Sequence, residues 1–193
     1  MIKKGTLVLI DSTEQLRQKT VNIKDRETVS HFHGKLMLVA GDESQNLCQM
    51  EKFTSNGWAP IYIEENNDRS GHVLFPSSAM TEVSSELFCE DNLEDVVLVQ
   101  RKVWFEKEFG KSMISNEFPD VGQISRFHGK VLRVDWTETA KQKDKRRVLK
   151  KFTAKGWEYV YFQESKPESG YLLFPEKFLT DFPISAFFEK VNR

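Results

Sequence analysis

The chain has 193 residues, 28 basic and 29 acidic side chains, a net charge of −1 and 39% apolar residues. That balance fits a globular protein and excludes disordered, collagen-like and disulfide-framed chains. No apolar run approaches the ~20 residues of a membrane-spanning helix, and the apolar stretch in the opening MIKKGTLVLI is too short for a secretory signal.

In chain order, GTLVLI (5–10) reads as an opening strand. A polar stretch follows, read as the return arm of a hairpin, and a second strand crosses FHGKLMLVA (32–40). The next segment, 44–55, is predicted as a helix burying Met50 and Phe53, with Gly57 as its left-handed closing residue. Trp58 then opens a β-branched and aromatic strand. A Ser-Gly turn reverses the chain into HVLFP, where Pro76 stops the pairing, and SSELFCED (84–91) forms a short amphipathic helix.

The same order then restarts. VVLVQ (96–100) opens, FHGKVLRVD (127–135) follows, and a helix is predicted over 141–155 from the i, i+4 pair Val148 and Phe152. Gly156 closes it, Trp157 opens EYVYFQE, and YLLFP leads to Pro175 and the final helix PISAFFEK (183–190). FHGK recurs at 32–35 and 127–130, FTSNGW (53–58) returns as FTAKGW (152–157), and SGHVLFP (70–76) returns as SGYLLFP (169–175). The offset grows from 95 to 99 residues, so the second copy carries four extra residues between Val134 and Val148. The predicted fold class is α+β: two tandem copies of a β-α-β-β unit, each with an extra N-terminal strand or hairpin. The acidic, turn-prone Glu90–Asp95 marks the boundary, giving repeats at 1–92 and 93–193. Cys48 and Cys89 have no counterpart in the other copy and are read as free thiols of a reducing cytoplasm.

VLKKFTAKGWEYVYF (148–162) followed by YLLFP resembles small bacterial domains of unknown function, in which a helix runs into a Gly-Trp-Glu exit and the last strand ends in Leu-Phe. The first copy departs from this pattern, with Ala59-Pro60 at the Glu158-Tyr159 positions. The resemblance implies a fold and a bacterial or phage origin, and no activity.

Motifs for chemistry are sparse. Phe109-Gly110-Lys111-Ser112 ends like a P-loop, but Phe105 stands where the first glycine is needed. His31, His33, His72 and His128 lack ligand partners at metal spacing, so neither a metal nor a cofactor is expected. The repeated His-Gly-Lys, taken as strand, puts His33 with Lys35 and His128 with Lys130 on one face, a candidate anion site; the alternative is a purely structural role. Trp58 and Trp157 are expected in the core, Trp104 and Trp136 at a surface contact.

Charge separates the copies. Residues 1–95 hold 9 basic and 16 acidic side chains, net −7; residues 96–193 hold 19 and 13, net +6. Read as a helix, 141–155 concentrates Lys143, Lys145, Arg146, Arg147, Lys150 and Lys151, a candidate surface for nucleic acid or an acidic partner. The leading expectation is a cytoplasmic, non-enzymatic binding protein with a protein partner or acidic surface, no membrane, and self-association as a further expectation. The alternatives are a nucleic-acid-associated protein using the basic helix and, more weakly, a small-anion or nucleotide sensor using the His-Lys pairs. An enzyme ranks last, since no nucleophile has a base beside it in the sequence.

Overall fold

The computed structural model describes residues 1–11, 29–41, 43–88, 93, 95–99, 107 and 120–191. The chain divides into two compact units: Met1–Asn92 together with Pro183–Arg193, and Leu93–Phe182. The C-terminal segment therefore completes the first unit, although it follows the second in sequence.

The first unit contains β1 (Leu7–Ile10), β2 (Leu36–Val39), β3 (Leu47–Thr54), β4 (Gly57–Pro60), β5 (Tyr62–Glu64), β6 (Asn67–His72), β7 (Leu74–Pro76) and β8 (Met80–Glu82), with a 3-10 turn at Ser77–Ala79. The second repeats the series as β9 (Val96–Val99), β10 (Val131–Val134), β11 (Arg146–Thr153), β12 (Gly156–Tyr159), β13 (Tyr161–Gln163), β14 (Lys166–Tyr171), β15 (Leu173–Pro175) and β16 (Leu179–Asp181), with its 3-10 turn at Glu176–Phe178. The sheets run β4-β3-β2-β1-β8 and β12-β11-β10-β9-β16, with β7 also on β3 and β15 also on β11. Every paired strand is antiparallel. β5–β6 and β13–β14 stand out as separate two-stranded hairpins.

The α+β expectation is overturned: 44–55 and 141–155, read as the helices of two β-α-β-β units, hold the central strands β3 and β11. The physical reason is burial with period two. Cys48 and Met50 are buried while Gln49 between them is exposed. Val148 and Phe152, taken as an i, i+4 helical pair, are also an even number of residues apart and so share a face of a strand. Among the described residues, the α-helices whose bounds are defined are short pieces: α1 (Val121–Ile124), α2 (Trp136–Thr139) and α3 (Ile184–Phe188).

Each unit has its own core. Val8, Ile10, Met37, Val39, Cys48, Met50, Phe75 and Met80 pack together in the first. In the second, Val99, Leu132, Val134, Leu149, Phe174 and Phe178 do the same. At about 25 cal/mol per Å² of apolar surface removed from water, such clusters are the main stabilising term.

The repeated FTxxGW motif closes a hairpin, not a helix. Phe53 pairs with Trp58 and Thr54 with Gly57; Phe152 pairs with Trp157 and Thr153 with Gly156. The Thr54 hydroxyl donates to Gly57 O at 2.8 Å and accepts from Asn56 N at 3.2 Å. Thr153 repeats both bonds at 3.1 Å with Gly156 O and Lys155 N. Gly57 and Gly156 sit at φ +94° and +98°, the left-handed closure of a two-residue turn.

The four extra residues of the second copy are also located. The β2–β3 connection folds back through Gln45 and Asn46, at φ 52° and 62°. The β10–β11 connection instead builds α2, capped by the Asp135 side chain, which accepts from Glu138 N.

Replacing Gly156 with alanine is expected to cost about 1 kcal/mol, because an L-residue must hold a left-handed conformation. A Cβ on Gly156 meets nothing within 4 Å, whereas one on Gly57 approaches the Ala186 Cβ to 3.3 Å. Thermal melts of both variants should therefore show the larger loss for Gly57→Ala; equal losses would refute the close approach.

Candidate functional site

The His-Gly-Lys repeats are turns, not strand faces. Lys35 N donates to Phe32 O at 2.9 Å and Lys130 N to Phe127 O at 3.0 Å. His128 at φ −55°, ψ 128° followed by Gly129 at φ 72° makes a type II turn, which needs glycine at that position. His33 Nδ1 lies 3.2 Å from Asp11 O, and His128 Nδ1 lies 3.0 Å from Val99 O. A carbonyl only accepts, so Nδ1 carries the proton in both rings. The ammonium groups of Lys35 and Lys130 each sit 5.2 Å from the ring centroid of the motif's own phenylalanine. Burial pushes the Lys130 pKa down. The geometry ties the start of β2 or β10 to the end of the preceding strand.

The six cations grouped on a helix by sequence reading lie on β11 and the turn before it. Along a strand neighbours alternate, so Arg146 and Lys150 face away from Arg147 and Lys151, and no single stripe forms. Acidic partners hold four of them: Arg146 meets Asp144 at 2.6 Å, Arg147 Glu176 at 2.9 Å, Lys150 Asp135 at 2.8 Å and Lys151 Glu164 at 3.1 Å. Lys143 and Lys145 are exposed in the turn.

Asp135 organises a connected polar centre among the described residues of the second unit. Its carboxylate accepts from Lys150 Nζ, from Glu138 N at 3.0 Å and from the Tyr159 hydroxyl at 2.9 Å. These donors, led by Lys150, hold its pKa down to about 2, against an ordinary value of 3.8. The same carboxylate raises the pKa of Lys150 and of the Tyr159 phenol. Lys150 Nζ also lies 4.5 Å from the Tyr159 ring centroid. Beyond Tyr159 the rings continue: Tyr171 is 5.0 Å away and Tyr161 stacks on Tyr171 at 5.8 Å with 20° between planes. Desolvation, then the Glu138 charge, raises the Tyr171 pKa. The result is a half-buried shelf of three tyrosines edged by Asp135, Lys150, Glu138 and Lys141, the last two paired at 2.6 Å.

The first unit has the same backbone without this centre. Val134 opposite Leu149 matches Val39 opposite Met50, and Lys150 opposite Tyr159 matches Glu51 opposite Pro60. Asp135, Lys150 and Tyr159 are thus replaced by Ala40, Glu51 and Pro60, and Tyr171 by His72 opposite Tyr62.

Beside the shelf, Trp136 is 53% exposed. Its indole N–H donates to Asp95, and the Arg147 guanidinium lies 5.3 Å from its ring. Cys48 is a free thiol buried in the first core, and burial raises its pKa. Trp104, Cys89 and Phe109–Ser112 lie outside the described residues. Among the described residues, no group of three His, Cys, Asp or Glu could hold a metal ion, and no helix is long and apolar enough to cross a membrane. Asp135, Tyr159, Tyr161 and Tyr171 escaped the sequence reading. Their one legible signal was an aspartate three residues before Glu138, opening the inserted segment as a helix cap does.

Because the Asp135 pKa is depressed in the folded state, its contribution is complete above about pH 4 and is lost as pH falls toward 2. Asp135→Asn is expected to lower stability by about 1–2 kcal/mol at pH 7. Thermal melts at pH 7, 4 and 2.5 should show the gap from wild type closing at the lowest pH. A gap independent of pH would show that the charge of Asp135 is not what stabilises this site.

Comparison of the chain with protein-family models and with curated proteins finds no match.

Proposed function

We propose that the protein is a non-enzymatic binding module whose second unit engages a protein partner through the Tyr159–Tyr161–Tyr171 shelf and its charged edge. One observation carries this reading: an equivalent unit in the same chain folds with Ala40, Glu51 and Pro60 in place of Asp135, Lys150 and Tyr159. The fold does not need the tyrosine–lysine–aspartate centre, so a role in recognition explains its presence. Half-buried tyrosines with a polar tip are favoured at protein interfaces, since they bring large rigid contact area at small entropic cost. The buried free thiol of Cys48 is compatible with a reducing cytoplasm.

The nucleic-acid alternative loses two of its supports. The segment 141–155 is not a helix, and four of the six basic side chains are engaged by carboxylates. What still favours it is Trp136, half exposed and next to the Arg147 guanidinium, with Lys143 and Lys145 exposed in the following turn. The anion-sensor alternative is weakened by the His-Gly-Lys turns, whose Nδ1–H groups point at backbone carbonyls.

A photo-crosslinking residue at Tyr161, compared with one at Tyr62 in cells that naturally make the protein, tests the leading reading. A specific adduct at 161 that disappears with Lys150→Glu is expected; equal adducts at both positions would refute a surface specific to the second unit. For nucleic acid, anisotropy of labelled DNA and RNA oligonucleotides is expected to show no salt-sensitive binding. Binding that falls steeply with salt and is lost on Lys143→Glu with Lys145→Glu would put the alternative first.

A further inference from the structure

The segment Pro183–Arg193 is part of the first unit, and its pattern is that of a peptide docked in a groove. Phe187 and Val191 are buried and Ile184 and Phe188 half-buried; Ile184, Phe187 and Phe188 are an i, i+3, i+4 set on one helical face, and Val191 is a further anchor in the turn beyond it. Its seat is the β3–β4 hairpin. The Phe187 ring lies 5.2 Å from Phe53, 5.4 Å from Trp58 and 5.5 Å from Phe88. The Trp58 indole N–H donates to Phe187 O at 2.8 Å, fixing the helix along its length as well as in depth. Lys190 Nζ closes the far end on the Glu51 carboxylate at 2.9 and 3.1 Å. Gly57 gives the Ala186 methyl room: a Cβ there would meet it at 3.3 Å.

From this geometry we infer that the β3–β4 face of the first unit is a docking groove for a short amphipathic helix, and that the Ile184–Val191 segment of a second copy of this chain is its exchange occupant. The helix α3 is five residues long, too short to persist alone, so it is helical because it is docked. The groove recognises a buried phenylalanine followed three residues later by a cation, which the acidic Glu51 requires. The second copy fits because its own Ile184–Val191 segment carries this pattern and makes identical contacts whether it arrives in cis or in trans. A short segment held by non-covalent contacts and separated from the rest of its unit by a whole intervening unit is what segment exchange between copies uses. The exchange joins two chains without any contact that the single chain lacks.

The test uses full-length protein and a fluorescein-labelled peptide of residues 183–193. Phe187→Ala protein is expected to bind the peptide saturably, and at least ~10-fold more tightly than wild type, whose own segment competes at high effective concentration. The Lys190→Glu peptide should bind this groove more weakly, and the Phe187→Ala peptide not at all. A folded Phe187→Ala protein that ignores the peptide, or binds the Lys190→Glu peptide equally well, overturns the inference. If Phe187→Ala melts out by circular dichroism, a second assay stands alone. Glu51→Lys and Lys190→Glu chains, differently tagged, each place like charges together within themselves. In an exchanged pair both junctions become Lys–Glu. Co-purification of the two tags from the mixture, above that of wild type with wild type, supports exchange. Monomers of both variants at every concentration overturn it, and so does a heteromer that forms equally when both chains lack residues 183–193.

Discussion

Each unit is registered on one long strand. β3 pairs with β2 on one edge and with both β4 and β7 on the other; β11 does the same with β10, β12 and β15. The eight-residue strand is long enough to serve two neighbours in succession along a single edge. Leu47, Cys48 and Gln49 face β7, while Glu51 to Thr54 face β4. A slip of one residue would send Cys48 and Met50 out of the core and Gln49 in, reversing every side chain on the strand. The left-handed glycine at the end of the strand pins this register, since only one alignment brings Thr54 opposite Gly57 and Phe53 opposite Trp58. The repeated motifs are therefore the fixed points of a β-sheet: one turn to start the second strand, one to reverse the third.

With the scaffold fixed at those points, electrostatics was free to diverge. The position held by Glu51 in one unit and Lys150 in the other shows how. Each is a partly covered charge on the same strand, opposite the same point of the following strand, and each finds an opposite charge: Lys190 for the first, Asp135 for the second. Many charges of both signs are thus held in local pairs, which leave the net difference between the copies in place. Surface pairs of this kind contribute roughly 0–1 kcal/mol each, so they define surface character more than they stabilise the fold. The Asp135 centre differs because its carboxylate also caps a helix and binds a phenol, and removing it would leave three donors without their acceptor.

The sequence was legible where a motif had to be retained for backbone reasons. FHGK, FTxxGW and SGxxLFP located the duplication, its strand exits and the four-residue insertion that became α2. It was misleading where one residue spacing serves two geometries. Val148 and Phe152 match a helix face and a strand face alike, and the lysine-rich run around them has good helix propensity. The discriminating signal was the Cys48-Gln49-Met50 alternation in the first copy, together with phenylalanine and tryptophan flanking a tight turn with glycine at its end. Both mark a hairpin, in which Gly57 and Gly156 close a turn between strands and not the end of a helix. The tyrosine shelf was invisible for a different reason. Tyr159, Tyr161 and Tyr171 come from three strands, and only pairing brings their rings to within about 6 Å of one another.

That residues 183–193 belong to the first unit has a consequence for how the protein is made. Chains emerge from the ribosome N-terminus first, at roughly 5–20 residues per second, and domains usually fold in that order. Here the first unit to emerge lacks a piece of its aromatic packing until the codons beyond the second unit are read, so Phe53, Trp58 and Phe88 must wait for Phe187 through the synthesis of the whole second unit. A ribosome stalled before Phe187 would leave that aromatic seat open. Residues 183–191 thus mark that the second unit has been made, and a chain that stops before them differs from one that carries them in the packing of its oldest part.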